Sequence, residues 1–186
     1  MPRVTLDFNL PDSSVTEALG HALADSLLRA LQAGAAQVGA ARADAVQSGA
    51  VAYLQGELGA GKTTCVRSLL RTLGVTGLVR SPTYTLVETY HLATLTCVHV
   101  DLYRLQSLTE VDELGLRDLV GPASLLMVEW PERGGAALPP ADVSVALRYA
   151  GDARLASLSA QTLLGTKWLD NLGRDSSLRS YVSNLT

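Results

Sequence analysis

Gly56-Glu57-Leu58-Gly59-Ala60-Gly61-Lys62-Thr63 matches the phosphate-binding pattern G-x-x-x-x-G-K-[ST] at every position. Before it, Ala50-Val51-Ala52-Tyr53-Leu54-Gln55 is an apolar run of the length of a strand buried on both faces of a parallel sheet. After it, Val66, Leu69, Leu70 and Leu73 recur at helical spacing with Arg67 and Arg71 on another face, and Gly74 supplies the stop. Strand, glycine loop and helix in that order predict an α/β fold of the P-loop NTPase type. Its central sheet is expected to be mostly parallel and flanked by helices, with antiparallel strands added.

The order also dictates chemistry. Glycines let backbone N–H groups curl around phosphate oxygens, and the helix N-terminus adds partial positive charge. Gly59, Ala60, Gly61, Lys62, Thr63 and Thr64 are therefore the expected cradle for ATP, with Lys62 reaching the β- and γ-phosphates and the Thr63 hydroxyl offered to Mg²⁺. A lysine opening a helix opposes the helix dipole, so a glycine turn that binds nothing leaves Lys62 without a reason.

The 186 residues, 47% hydrophobic and 5% aromatic, suit one domain with an aliphatic core, expected over residues 1–170. Residues 171–186 read as a weakly ordered tail. No apolar run approaches about 18 residues and no basic, apolar leader opens the chain, so a cytoplasmic protein with no membrane contact is expected. Cys65 and Cys97 have no metal-ligand spacing and read as packed thiols. A net charge of −3 argues against extensive tRNA or other nucleic-acid binding by this chain alone.

Outward from the loop, residues 4–8 read as a short strand, and Ser13 or Ser14 as the cap of a helix carrying Leu19, Leu23, Leu27, Leu28 and Leu31. Residues 32–49 are rich in Ala and Gly, an insertion compatible with an extended helix or a surface excursion. Leu86 to Tyr90 and Leu95 to Asp101 have strand character, and the second puts Cys97, His99 and Asp101 on one face. Thr109-Glu110-Val111-Asp112 has the form of a helix cap. Ser124 to Val128 is a buried strand that delivers Glu129, and Trp130-Pro131 ends ordinary pairing. Val143 to Tyr149 and Leu155 to Leu158 suit a closing hairpin.

Two carboxylates thus arrive at strand ends, Asp101 and Glu129, where a nucleotide hydrolase needs acidic groups near Mg²⁺. Each has a plainer alternative, a turn residue for Asp101 and a solvated surface group for Glu129. His99 would position water or Asp101, or simply pack; Trp130 would be core or a lid over nucleotide. Ser81 and Thr83, in Ser81-Pro82-Thr83-Tyr84, form a turn or a sensor of the γ-phosphate.

At these residues the chain resembles the bacterial TsaE (YjeE) family, the small ATPase of tRNA threonylcarbamoyladenosine (t6A) biosynthesis. The resemblance rests on Thr16-x-x-Leu19-Gly20, the phosphate loop, Ser81 to Glu88, His99-x-Asp101-Leu102-Tyr103-Arg104-Leu105 and Glu129-Trp130-Pro131-Glu132. It implies Mg²⁺ at Thr63 and Glu129, an essential acidic role for Asp101, which joins them in the expected metal set, and nucleotide contacts near Ser13 and Arg154. It also implies partners resembling TsaB and TsaD, which transfer a threonylcarbamoyl group to adenosine 37 of tRNA. Two departures are the longer segment at residues 32–49 and Ala153 where a glycine commonly precedes the late arginine. A small-molecule kinase is the enzymatic alternative, but no arginine-rich lid is evident; a GTPase switch lacks an Asn-Lys-x-Asp segment.

Overall fold

A computed structural model of the chain describes residues 4–38 and 49–183. Its strands are β1 (Thr5–Leu10), β2 (Ala50–Gln55), β3 (Val87–His91), β4 (Thr96–Asp101), β5 (Ser124–Glu129), β6 (Val143–Ala150) and β7 (Ala153–Ala160). They form one sheet in the order β1-β7-β6-β2-β5-β4-β3. β6, β2, β5 and β4 run parallel, whereas β3 at one edge and β7 with β1 at the other are antiparallel. The expected parallel centre with added antiparallel strands is therefore present. β2 lies in the middle with a strand on each side, which is why its sequence is an unbroken apolar run rather than an alternation.

Helices α1 (Ser13–Val38), α2 (Lys62–Thr72) and α4 (Leu163–Leu172) cover one face, where Leu19, Leu27, Leu70, Leu125, Met127 and Trp168 form the larger core. The short helix α3 (Leu108–Glu113) and two 3-10 turns, Pro131–Arg133 and Gly135–Ala137, cover the other, over Val98, Val100, Leu126 and Val128. Alternation along β4 sends Cys97 to the first core and Val98 and Val100 to the second. α1 lies against both α2 and α4. Its approach to α2 depends on Gly20, because a Cβ there would stand 2.3 Å from the Cys65 carbonyl oxygen.

Several local expectations are corrected. α1 is capped by Asp12, whose carboxylate accepts the N–H groups of Ser14 at 2.8 Å and Val15 at 3.1 Å, rather than by Ser13 or Ser14. A carboxylate also complements the helix dipole, which a serine hydroxyl does weakly. α1 continues through residue 38, so the start of the Ala/Gly-rich segment is helical, while residues 39–48 lie outside the described residues. α3 is capped by Ser107 in a reciprocal box with Glu110, two residues earlier than Thr109.

At the C-terminus the structure adds α4, which the sequence does not announce. Of residues 171–186, read as a weakly ordered tail, Leu172 and Leu178 are buried while most of their described neighbours are exposed, and residues 184–186 lie outside the described residues. Trp168 is fully buried and its indole N–H donates to the Leu23 carbonyl at 2.9 Å. A 3-10 turn at Ser176–Tyr181 buries Leu178, and the Ser183 N–H donates to the Asp7 carbonyl at 2.8 Å. Few large apolar residues are needed when α1 and β1 already offer a seat for them. Among the described residues no helix is long and apolar enough to cross a membrane.

Candidate functional site

The C-terminal ends of β4 and β5 meet the start of α2. Asp101 and Glu129 are register partners on these parallel strands, so both strands deliver a carboxylate at the same level. On the β2 side, the chain leaves the sheet through the glycine loop. Gly61 is the N-cap of α2 in a left-handed conformation (φ 107°), and no side chain caps the helix. The first N–H groups of α2 therefore have neither an intrahelical acceptor nor a capping group, the usual condition of an anion site.

Lys62 is buried, and its Nζ donates to the carbonyls of Gly56 at 2.6 Å and Glu57 at 2.9 Å. The ammonium stands 4.0 Å from the centroid of the Trp130 ring. Burial pushes Lys62 below the usual lysine range, against the opposing pull of Glu129, Asp101 and Glu132. Trp130 has a left-handed backbone (φ 60°, ψ 46°) ahead of Pro131, an uncommon conformation for a bulky residue. Its ring packs on Tyr103 at 5.0 Å and faces the cavity, so it is a wall beside Lys62 rather than deep core.

Thr63 Oγ1 donates to Glu129, 2.9 Å from Oε1 and 3.1 Å from Oε2. His99 Nε2 lies 2.9 Å from Oε1 of the same carboxylate. Asp101 belongs to a different cluster: Oδ2 accepts the Ser81 hydroxyl and that of Thr83 (3.0 Å), and Oδ1 accepts the Tyr103 N–H at 2.9 Å. Thus Ser81 and Thr83 bond a carboxylate and not the phosphate loop. His99 bonds Glu129 rather than Asp101; it lies opposite Met127 on β5, and Glu129 is the next residue on that face.

Lys62, Thr63, Asp101, Glu129, Tyr103 and Trp130 line one cavity of 240 Å³, with Ser81 and Thr83 on its wall. On the opposite side of the loop, Ser13, Thr16, Asp152 and Arg154 border a groove of 350 Å³; Gly59, Gly61 and Thr64 border both. Arg154 donates to the carbonyls of Asp152 and Ala153 and stacks 4.5 Å from Tyr149. The sequence assigns no role to Tyr103, although it lies in the His99 to Leu105 motif, or to Tyr149. The Tyr149 hydroxyl donates to the Leu58 carbonyl at 2.9 Å and holds the loop from outside; its only local signal is an aromatic residue at the end of the hairpin strand.

The donor set suits a magnesium nucleotide. Among the described residues no three His, Cys, Asp or Glu side chains gather as a self-sufficient metal cage. Mg²⁺ in nucleotide sites commonly takes one or two carboxylates and completes its shell with phosphate and water, and a hydroxyl beside a carboxylate at an uncapped helix start offers that partial set.

A family model described as threonylcarbamoyl adenosine biosynthesis protein TsaE matches residues 13–156. A Haemophilus influenzae protein named tRNA threonylcarbamoyladenosine biosynthesis protein TsaE is 49% identical over 113 residues, 61% of this chain and 72% of that protein. A Treponema pallidum protein of the same name is 39% identical over 107 residues, 58% of this chain and 78% of its own length. The crystal structure of Bacillus subtilis YdiB superposes with a TM-score of 0.67 at 23% identity, covering 94% of this chain and 97% of that one.

Proposed function

The chain belongs to the TsaE family of threonylcarbamoyl adenosine biosynthesis proteins, and from that premise we propose that it is a Mg²⁺-dependent ATPase serving tRNA modification. The observation that carries this reading is the convergence of an uncapped helix N-terminus, Lys62, and the Thr63–Glu129 pair on one cavity.

The phosphates lie against the N–H groups of Gly59 to Thr64, and Lys62 exchanges its two loop carbonyls for phosphate oxygens. Thr63 and Glu129, with Asp101, would hold Mg²⁺, and the ion would neutralise charge that shifts during phosphoryl transfer. The groove bordered by Ser13 and Arg154 takes the nucleoside. Asp101, tied to Ser81 and Thr83, couples the Ser81–Thr85 segment to the γ-phosphate end of the cavity.

Hydrolysis drives or resets a transferase built from proteins resembling TsaB and TsaD, which act on tRNA in the cytoplasm. Among the described residues lining the cavity, none beyond Lys62 is an obvious stabiliser of transition-state charge, so the isolated chain turns over slowly and its partners raise the rate. An arginine supplied in trans contributes about 10³–10⁵ in related phosphoryl transfers. The test measures ATP turnover by the chain alone, with both partners, and with partners plus tRNA, using Lys62→Ala as control. Equal rates in all mixtures, or full turnover by Lys62→Ala, would exclude the role.

A further inference from the structure

We propose that His99 is a positioning residue whose Nε2–H fixes the orientation of the Glu129 carboxylate. His99 is fully buried, and Nε2 lies 2.9 Å from Glu129 Oε1. A carboxylate can only accept, so the proton of this bond sits on Nε2. The other ring nitrogen, Nδ1, is buried and has no hydrogen-bond partner among the described residues. A ring present only to fill the core would be better replaced by an apolar side chain, because the orphaned nitrogen is costly there. The imidazole is explained by the one bond it makes.

That bond divides the two oxygens of Glu129. Oε1 receives His99 and the shorter contact from Thr63, whereas Oε2 has only the longer Thr63 contact at 3.1 Å. Oε1 is thereby committed to the protein, and Oε2 is the oxygen left for the cavity. Without His99 the carboxylate could rotate about its terminal torsion, which is broad, and present either oxygen. Groups that hydrogen-bond a metal ligand in this way typically set metal affinity by 10- to 100-fold.

The inference rests on Glu129 as a Mg²⁺ ligand, and the experiment separates the two ideas. Binding of a fluorescent ATP analogue is titrated against Mg²⁺ for the wild type, His99→Leu and His99→Gln. In the wild type Mg²⁺ tightens binding; if it does not, the magnesium-nucleotide reading falls and the inference with it. His99→Leu is expected to raise the half-saturating Mg²⁺ concentration about tenfold while leaving Mg²⁺-free affinity and melting temperature near wild type. His99→Gln, whose amide can donate in place of Nε2–H, recovers most of that loss. An unchanged Mg²⁺ midpoint in His99→Leu, or no recovery in His99→Gln, overturns the proposal. Should the variants fail to fold, long-range nitrogen–proton spectra of the wild type decide: a proton on Nε2 supports the assignment and a proton on Nδ1 alone refutes it.

Discussion

Glu129→Gln tests whether the carboxylate shared by Thr63 and His99 serves function or fold. Glu129 is 2% exposed and receives hydrogen bonds from Thr63 and His99, each at 2.9 Å. A glutamine can keep both contacts, its oxygen accepting from His99 and its amide donating to Thr63 Oγ1. A bond to a charged group contributes about 1.5–3 kcal/mol and a neutral one about 0.5–1.5, so neutralisation weakens the pair by about 2 kcal/mol. Against this, the substitution removes a buried carboxylate whose effective desolvation penalty is several kcal/mol. Stability in urea should therefore hold or rise. Turnover should move the other way: Glu129 would act through the Mg²⁺ it helps hold, and loss of one preorganised electrostatic group of this kind costs about 10²–10³ in rate, or about 2.7–4 kcal/mol. Lys62, which loses its strongest charged support, shifts further below the usual lysine range. Urea unfolding and ATP turnover with the transferase partners would be measured on one preparation. Turnover within about threefold of wild type, or a stability loss above about 3 kcal/mol, would refute the reasoning.

Trp168→Ala should destabilise by about 3–5 kcal/mol, since it opens a cavity and removes the indole hydrogen bond to the Leu23 carbonyl; a urea-measured loss under about 1 kcal/mol would contradict the packing of α4 on α1. Gly20→Ala should lower stability despite a helix-propensity gain of about 1 kcal/mol, because the new Cβ meets a backbone carbonyl that no rotamer change can move; overpacking of that kind costs about 1–3 kcal/mol. A more stable Gly20→Ala protein would mean that α1 can draw back from α2. Asp142 accepts the Val51 N–H at 2.9 Å and the Thr162 hydroxyl, yet burial pushes its carboxyl above the ordinary 3.8. The folded state therefore binds this proton more tightly than the unfolded state, and the stabilisation, complete below 3.8, is lost as pH rises through the raised value. Asp142→Asn, which cannot titrate, should gain stability relative to wild type as pH rises through that window; a gain on acidification would reverse the assignment.

The phosphate loop, its strand and its helix were legible in the sequence because each depends on neighbours within a few residues. Spacing alone put glycines at the turn, Lys62 and Thr63 at the helix start, and leucines on one helical face. The closing hairpin was legible for the same reason, and Asp101 and Glu129 followed from apolar runs that end on a carboxylate. What those carboxylates touch was not legible. His99 and Glu129 are 30 residues apart, Ser81 and Asp101 20 apart, and only the parallel pairing of β4 with β5 and the path of the segment before β3 bring them together. Nor could the sequence announce that α4 docks on α1, since Trp168 and Leu23 meet across 145 residues. Local pattern determines which elements form; hydrogen bonds that close long loops are decided by how the sheet orders its strands, a choice no short window of residues encodes.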